Sequence, residues 1–225
     1  MAQNRQAAER LYYILGALFI TALITCNLIA NKFVSIDLGF KVFVVSAGVL
    51  PYPITFLITD ILSELYGQKR TTQVVLAGLV ASIFVLFILW LGAQFPSIDG
   101  SIVDDAMYNA VFQNAWRVIA ASMLAYLFAQ LIDVRLFHFW KKLTNGKKLW
   151  VRNNFSTILS QGVDTTMVVV VLFAGVESWS TMGGYIADGW LFKIIFAAFD
   201  TIIIYLIMFW ARSYFKLSVG EEIRL

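Results

Sequence analysis

Apolar positions along this chain gather into six long runs, and polar positions fall either in the links between them or in narrow stripes inside them. The runs are Leu11–Ala30, Val42–Leu65, Thr72–Ala93, Ala115–Phe137, Asn154–Val176 and Trp190–Arg212. Each approaches the ~20 residues that an α-helix needs to cross a bilayer. The third and sixth are nearly uninterrupted. The second is broken by Pro51-Tyr52-Pro53, so a fresh helix is predicted to start near Pro53 and to run to Tyr66-Gly67. The first run follows Arg5 and Arg10, as in a leader, but it is long enough to span and no small-x-small cleavage site follows it. It reads as an uncleaved span. The pattern predicts an all-α integral membrane protein: a single domain over 1–225 with six transmembrane helices and a proline-broken second span.

Stripes inside the runs carry the candidate chemistry. In the fifth run, Asn153, Thr157, Ser160 and Asp164 fall on one narrow face at 100° per residue, with Gln161 and Thr165 on its flank. A carboxylate at that depth costs at least about 2.5–3.5 kcal/mol unless it faces protein or water. The stripe therefore points to a bundle interior that holds something polar. Other spans add to it. Asp60 and Glu64 are one turn apart after Tyr52, Thr55, Phe56 and Thr59, while Ser122, Tyr126, Gln130 and Asp133 share a face. Lys193 and Asp200 share a face two turns apart, and Asn27 and Asn31 stand at i, i+4 at the end of the first run.

Each group has a plainer reading beside the functional one. Glu64 and Asp133 lie near span ends beside Lys69, Arg70 and Arg135, which offer them ion pairs. Asn27 and Asn31 could bridge helices through hydrogen bonds. Lys193 and Asp200 could neutralise other buried charges. The broken second span favours a ligand, because a new helix start exposes amides that commonly face substrate in transporters. Tyr52 and Phe56 at that start could stack on a planar ring. The candidate ligand residues are Asp164 and Gln161, then Glu64, Asp60, Asn27, Asn31, Tyr52, Phe56 and Asn153, then Lys193 and Asp200.

Composition and charge narrow the class. With 60% hydrophobic residues, 14% charged residues and a mean hydropathy of +0.78, 225 residues have no soluble interior large enough for this apolar surface. Basic residues gather at the N-terminus (Arg5, Arg10), the second link (Lys69, Arg70), the fourth link (Arg135 to Arg152) and the tail (Arg212, Lys216, Arg224). Asp99, Asp104, Asp105, Glu177 and Asp188 occupy the opposite links. Only the first link, with Lys32, Asp37 and Lys41, blurs this alternation. Both termini are therefore expected in the cytoplasm. The Lys141–Lys148 run reads as a cytoplasmic loop near anionic lipid rather than a nucleic-acid site. Trp116, Trp140, Trp150, Trp179, Trp190 and Trp210 read as interfacial anchors.

Cys26 and His138 are the only cysteine and histidine, which argues against a disulfide, a cysteine or histidine metal site and haem. No metal or other cofactor is expected. No serine-nucleophile elbow, zinc-protease helix, phosphate-binding loop or dinucleotide fingerprint occurs, so no enzyme is expected either. A small carrier, a binding subunit of a larger transporter and a structural membrane protein remain.

Linked motifs then suggest a family. Leu50-Pro51-Tyr52-Pro53-Ile54-Thr55-Phe56 leads into Thr59-Asp60 and Glu64-Leu65-Tyr66-Gly67. Ser122-Met123-Leu124-Ala125-Tyr126 and Gln130-Leu131-Ile132-Asp133-Val134 follow, and Arg152-Asn153 leads through Ser156-Thr157 to Ser160-Gln161-Gly162-Val163-Asp164-Thr165. From about Leu18 to Trp210 the chain resembles the queuosine precursor transporters, also called vitamin uptake-like transporters. That resemblance implies a six-span carrier of the bacterial inner membrane for 7-deazaguanine bases such as 7-cyano-7-deazaguanine, 7-aminomethyl-7-deazaguanine or queuine, precursors of a modified tRNA base. It also implies kinship in fold with the substrate-binding subunits of energy-coupling-factor transporters, without a dedicated ATPase. The alternative is such a subunit for a vitamin-like or purine-like molecule, dependent on a separate energising complex. The expected partners are the deazaguanine and the lipid bilayer, with a monomer or a homo-oligomer as the unit and no nucleic acid.

Overall fold

The computed structural model of the chain describes residues 2–30, 32–39, 41–113, 116–175 and 177–223. Helix α1 (Ala2–Leu28) leads to a two-stranded antiparallel hairpin, β1 (Phe33–Asp37) and β2 (Val42–Ser46), paired from Phe33 opposite Ser46 to Asp37 opposite Val42. A 3-10 turn over Ala47–Val49 precedes α2 (Tyr52–Gly92). The short α3 (Asp105–Tyr108) and a π turn over Asn109–Gln113 come next. Helices α4 (Trp116–Leu143), α5 (Leu149–Phe173) and α6 (Trp179–Phe215) complete the bundle.

The fold is predominantly helical, as expected, and the hairpin corrects the start of the second span. Val42 to Ser46 were assigned to a broken second span, yet they form a strand. A short run of Val42, Phe43, Val44 and Val45 is β-branched and aromatic, and periodicity alone does not separate such a run from a helix. The turn decides it. Gly39 adopts φ +82°, and its N–H donates to the Asp37 carboxylate at 2.8 Å. Phe43 then packs on Phe192 of α6 (5.4 Å between centroids), and Lys41 bridges to Asp188 at 2.5 Å.

Helix α2 starts where the prolines predicted. Pro53 occupies its first turn, where a missing N–H is tolerated. At Gly67 the backbone leaves the helix (φ 80°, ψ 170°), and a second helix begins at once. Contacts with α1 give the two directions. Before Gly67 the chain advances from Gly48, against the Cys26 carbonyl, to Tyr66, whose hydroxyl donates to the Ala8 carbonyl at 2.8 Å. After it the order reverses: the Arg70 carbonyl accepts from Tyr12, Val74 meets Gly16, and Gly78 packs on Phe19 and Leu23. The halves of α2 therefore run in opposite directions, matching the separate second and third runs of the sequence.

The interior holds a polar cluster beside its apolar core, and the exterior carries many large apolar side chains. Asp60, Glu64, Gln130, Asp133, Arg152 and Asp164 are all buried, whereas Val80, Phe84, Phe199, Leu206 and Phe209 are exposed. In water such a surface would aggregate; lipid is its natural solvent. Helices α1, α2 and α6 are each long and apolar enough to cross a membrane. Helices α4 and α5 carry the densest polar stripes, and α5 packs between α4 and α6. That position places its stripe at the centre of the bundle.

Candidate functional site

Helix α5 presents Arg152, Ser156, Ser160 and Asp164 at successive one-turn intervals, a ladder roughly 18 Å long at 1.5 Å per residue. All four are buried. Each level of the ladder meets different partners on α2, α4 and α6, and together they organise the site.

At the Asp164 level, three helices converge. The Tyr52 hydroxyl of α2 donates to Asp164 Oδ1 at 2.8 Å, and Lys193 Nζ of α6 approaches Oδ2 at 2.5 Å. The same ammonium lies over the Tyr52 ring, 4.6 Å from its centroid. Asp164 is thus a paired anion. Tyr52 also meets Phe56 (5.6 Å) and Tyr126 (6.2 Å), forming an aromatic wall. The buried Gln161, one turn from Asp164, has a side-chain oxygen without a hydrogen-bond partner among the described residues. The helix start at Tyr52 presents fewer amides than a usual N-terminus: Pro53 has none, and the Ile54 N–H donates to the Pro51 carbonyl.

One turn along the ladder, Ser160 donates to Asp133 Oδ1 at 2.9 Å, and Ser156 and Thr157 face the same carboxyl. Asp133 meets Asp60 of α2, so two carboxyls touch in the bundle interior. Arg135, the expected partner of Asp133, takes no part in these contacts. Nearby, Thr59 donates to Gln130 Oε1 at 3.1 Å.

At the Arg152 level the interior closes with an ion cluster. Arg152 is fully buried and grips Glu64 through Nη2 (2.6 Å) and Nε (3.0 Å), while its Nη1 donates to the carbonyls of Gly146 and Lys147. Arg212 of α6 adds a bond to Glu64 at 2.8 Å. Lys141 reaches Glu64 at 3.7 Å and Glu222 of the tail at 2.9 Å. The tail is fixed there by the Ile223 N–H, which donates to the Leu65 carbonyl at 2.6 Å. Glu64 is ion-paired as its plainer reading held, but with these cations rather than Lys69 or Arg70.

The remaining candidates lie apart from Asp164. Asn153 donates to Thr201 at 3.2 Å, and Asp200 beside that threonine is half-buried. Asn27 lines a small cavity of about 10 Å³ with Ser82, Leu86 and Met123; its amide nitrogen and the Ser82 hydroxyl have no partners. Asn31 lies outside the described residues. Sequence reasoning missed the role of Arg152, which the neighbouring lysines disguised as a loop charge. It also took Trp190 for an interfacial anchor. The Trp190 indole donates to the Ile158 carbonyl at 2.8 Å and packs against Gly162, whose missing side chain was the available signal.

The Asp164 and Asp133 levels and the Glu64–Arg152 pair fall within one family match, while Arg212 and Glu222 lie beyond it. The family described as "Putative vitamin uptake transporter" matches residues 46–207. The chain belongs to this family. It is a family of transporters and not of enzymes. Among its relatives, a protein of Bacillus subtilis (strain 168) named "Probable queuosine precursor transporter" is 31% identical over 145 residues, 64% of this chain and 59% of that protein. The "Queuosine precursor transporter" of Escherichia coli (strain K12) is 21% identical over 170 residues, 72% of this chain and 68% of that one. A "Probable queuosine precursor transporter" of Haemophilus influenzae is 22% identical over 146 residues, 64% of this chain and 56% of the relative. No solved structure matches. As a member of this family with several long apolar helices, the chain is a multi-pass membrane protein.

Proposed function

We propose that this protein carries a queuosine precursor, a 7-deazaguanine base, across the bacterial inner membrane. In this reading it crosses six times, with the two halves of α2 as separate crossings and both termini in the cytoplasm. The observation that carries the proposal is the buried Asp164, held by Tyr52 and Lys193 within the family match. A deazaguanine presents a ring N–H and an exocyclic amine on one edge, a pair that a carboxylate accepts. Each carboxylate oxygen has two lone pairs, so Asp164 keeps acceptor capacity beside its present partners. Lys193 and the Gln161 amide supply donors for the ligand carbonyl, and Tyr52 with Phe56 supplies a stacking surface. The Glu64 cluster, on the side of the basic links, closes the path toward the cytoplasm.

Cells that lack their own uptake and express this protein should accumulate labelled 7-cyano-7-deazaguanine, 7-aminomethyl-7-deazaguanine or queuine. Asp164→Asn should abolish uptake while leaving the amount of protein in the membrane unchanged. Wild-type uptake by that variant overturns the assignment. Purified protein alone in liposomes separates a carrier, which moves the base, from a binding subunit, which holds it and waits for an energising complex.

A further inference from the structure

The Asp60–Asp133 pair is separate from the Asp164 group and has no basic partner of its own among the described residues. Asp60 is 1% exposed and Asp133 is fully buried. Two carboxylates in contact bring four acceptor oxygens and no donor. Ser160 satisfies Asp133 Oδ1, but Asp133 Oδ2 and Asp60 Oδ1 have no hydrogen-bond partner among the described residues. Gln130 adds an independent sign. It is fully buried one turn before Asp133, its oxygen takes the Thr59 hydroxyl next to Asp60, and its amide nitrogen is unpartnered. The polar groups around the pair therefore have unmet hydrogen-bonding capacity that apolar packing does not supply.

The charged surroundings do not neutralise the pair. Asp200 faces it from α6 and adds negative charge, and Arg152 faces it from α5. Tyr126, also near Asp133, is uncharged as a phenol and its hydroxyl has no partner. Arg152 is already committed to Glu64 by two bonds and to two carbonyls. Lys193 is committed to Asp164. Two like charges in contact at this burial repel strongly unless a positive charge joins them.

We propose that Asp60 and Asp133 together take up one small monovalent cation, a proton or a sodium ion, whose passage is coupled to that of the substrate. A proton turns one carboxyl into a donor to the other. A sodium ion would use both carboxylates and the hydroxyls of Ser156, Thr157 and Ser160, hard oxygen donors of the kind it prefers. The coupling runs through Arg152, for which the acidic pair and Glu64 compete. A doubly negative pair draws the guanidinium away from Glu64, and one added positive charge releases it to close the ion cluster. The proposal rests on the carrier reading above.

The test uses the protein in liposomes, preloaded with unlabelled base for counterflow or empty for accumulation, with labelled 7-deazaguanine base added outside. Counterflow exchange reports carrier activity, and accumulation under an imposed pH or sodium gradient reports coupling. With one-for-one coupling, a tenfold ion gradient drives about tenfold accumulation. Wild type should accumulate the base under one of the two gradients, which names the ion. Asp133→Asn should lose that accumulation while still exchanging base. Exchange without accumulation by wild type under either gradient overturns the proposal and leaves the carrier reading standing. Undiminished accumulation by Asp133→Asn overturns it as well. A wild-type protein that does not exchange base at all refutes the carrier reading and this proposal with it. The wild-type arms do not depend on the folding of any variant.

Discussion

Replacing Glu64 with glutamine should destabilise the bundle more than almost any other single polar change, because it strands a charge with no route to water. Arg152 is fully buried, and Glu64 satisfies it through two bonds while accepting a third from Arg212. Hydrogen bonds to charged groups contribute about 1.5–3 kcal/mol each, so the gross loss is several kcal/mol. Part is recovered: Arg152 keeps the carbonyls of Gly146 and Lys147, and Lys141 keeps Glu222. Breaking a buried pair from one side destabilises by about 3–5 kcal/mol. For a chain of this length that lowers the melting temperature by roughly 6–20 °C. The protein contains its own reporter. Cys26 is its only cysteine and is buried, so a thiol-reactive dye reads unfolding of the detergent-solubilised protein directly. The pair Glu64→Leu with Arg152→Met removes both charges, and should melt closer to wild type than either single variant. A Glu64→Gln protein within about 2 °C of wild type, less than 1 kcal/mol, would refute the reasoning.

Tyr52→Phe keeps the ring beneath Lys193 and removes the bond to Asp164. Loss of a hydrogen bond to a charged group, about 1.5–3 kcal/mol, should weaken base binding by roughly 10- to 150-fold if that bond orients the carboxylate for ligand; unchanged affinity in a calorimetric titration would remove Tyr52 from the site. Gly67→Ala places a side chain at φ 80°, ψ 170°, a region that belongs to glycine, and drives it into the Glu222 carboxylate. It should lower stability by at least about 1–3 kcal/mol, measured by the same thiol-labelling melt, with wild-type melting as the refuting result.

The elements legible in the sequence were those with local causes. Pro51 and Pro53 marked the start of α2 and Gly67 its interruption, because ring geometry and a positive φ leave few alternatives. The stripe of Asn153, Thr157, Ser160 and Asp164 was readable as an interior face from helical periodicity, and all four are buried. Pairings between distant segments were not readable. Lys193 meets Asp164 and Arg152 meets Glu64 only because α5 lies between its neighbours, and no local pattern encodes that. The hairpin was missed for a different reason: Val42 to Val45 suit a helix or a strand, and the turn at Asp37 and Gly39 that decides between them lies outside the run.

The joint at Gly67 also fixes the tolerance of this chain to changes in length. Most reversals between helices pass through loops, which absorb an added or deleted residue without disturbing what they connect. Here one glycine makes the reversal, so there is no slack to absorb it. A single residue inserted between Tyr66 and Thr71 would rotate the second half of α2 by about 100° relative to the first. Gly78 would then turn away from Phe19 and Leu23, and a bulkier side chain would meet them in its place. From Pro51 to Gly78 the chain therefore tolerates substitution far better than insertion or deletion.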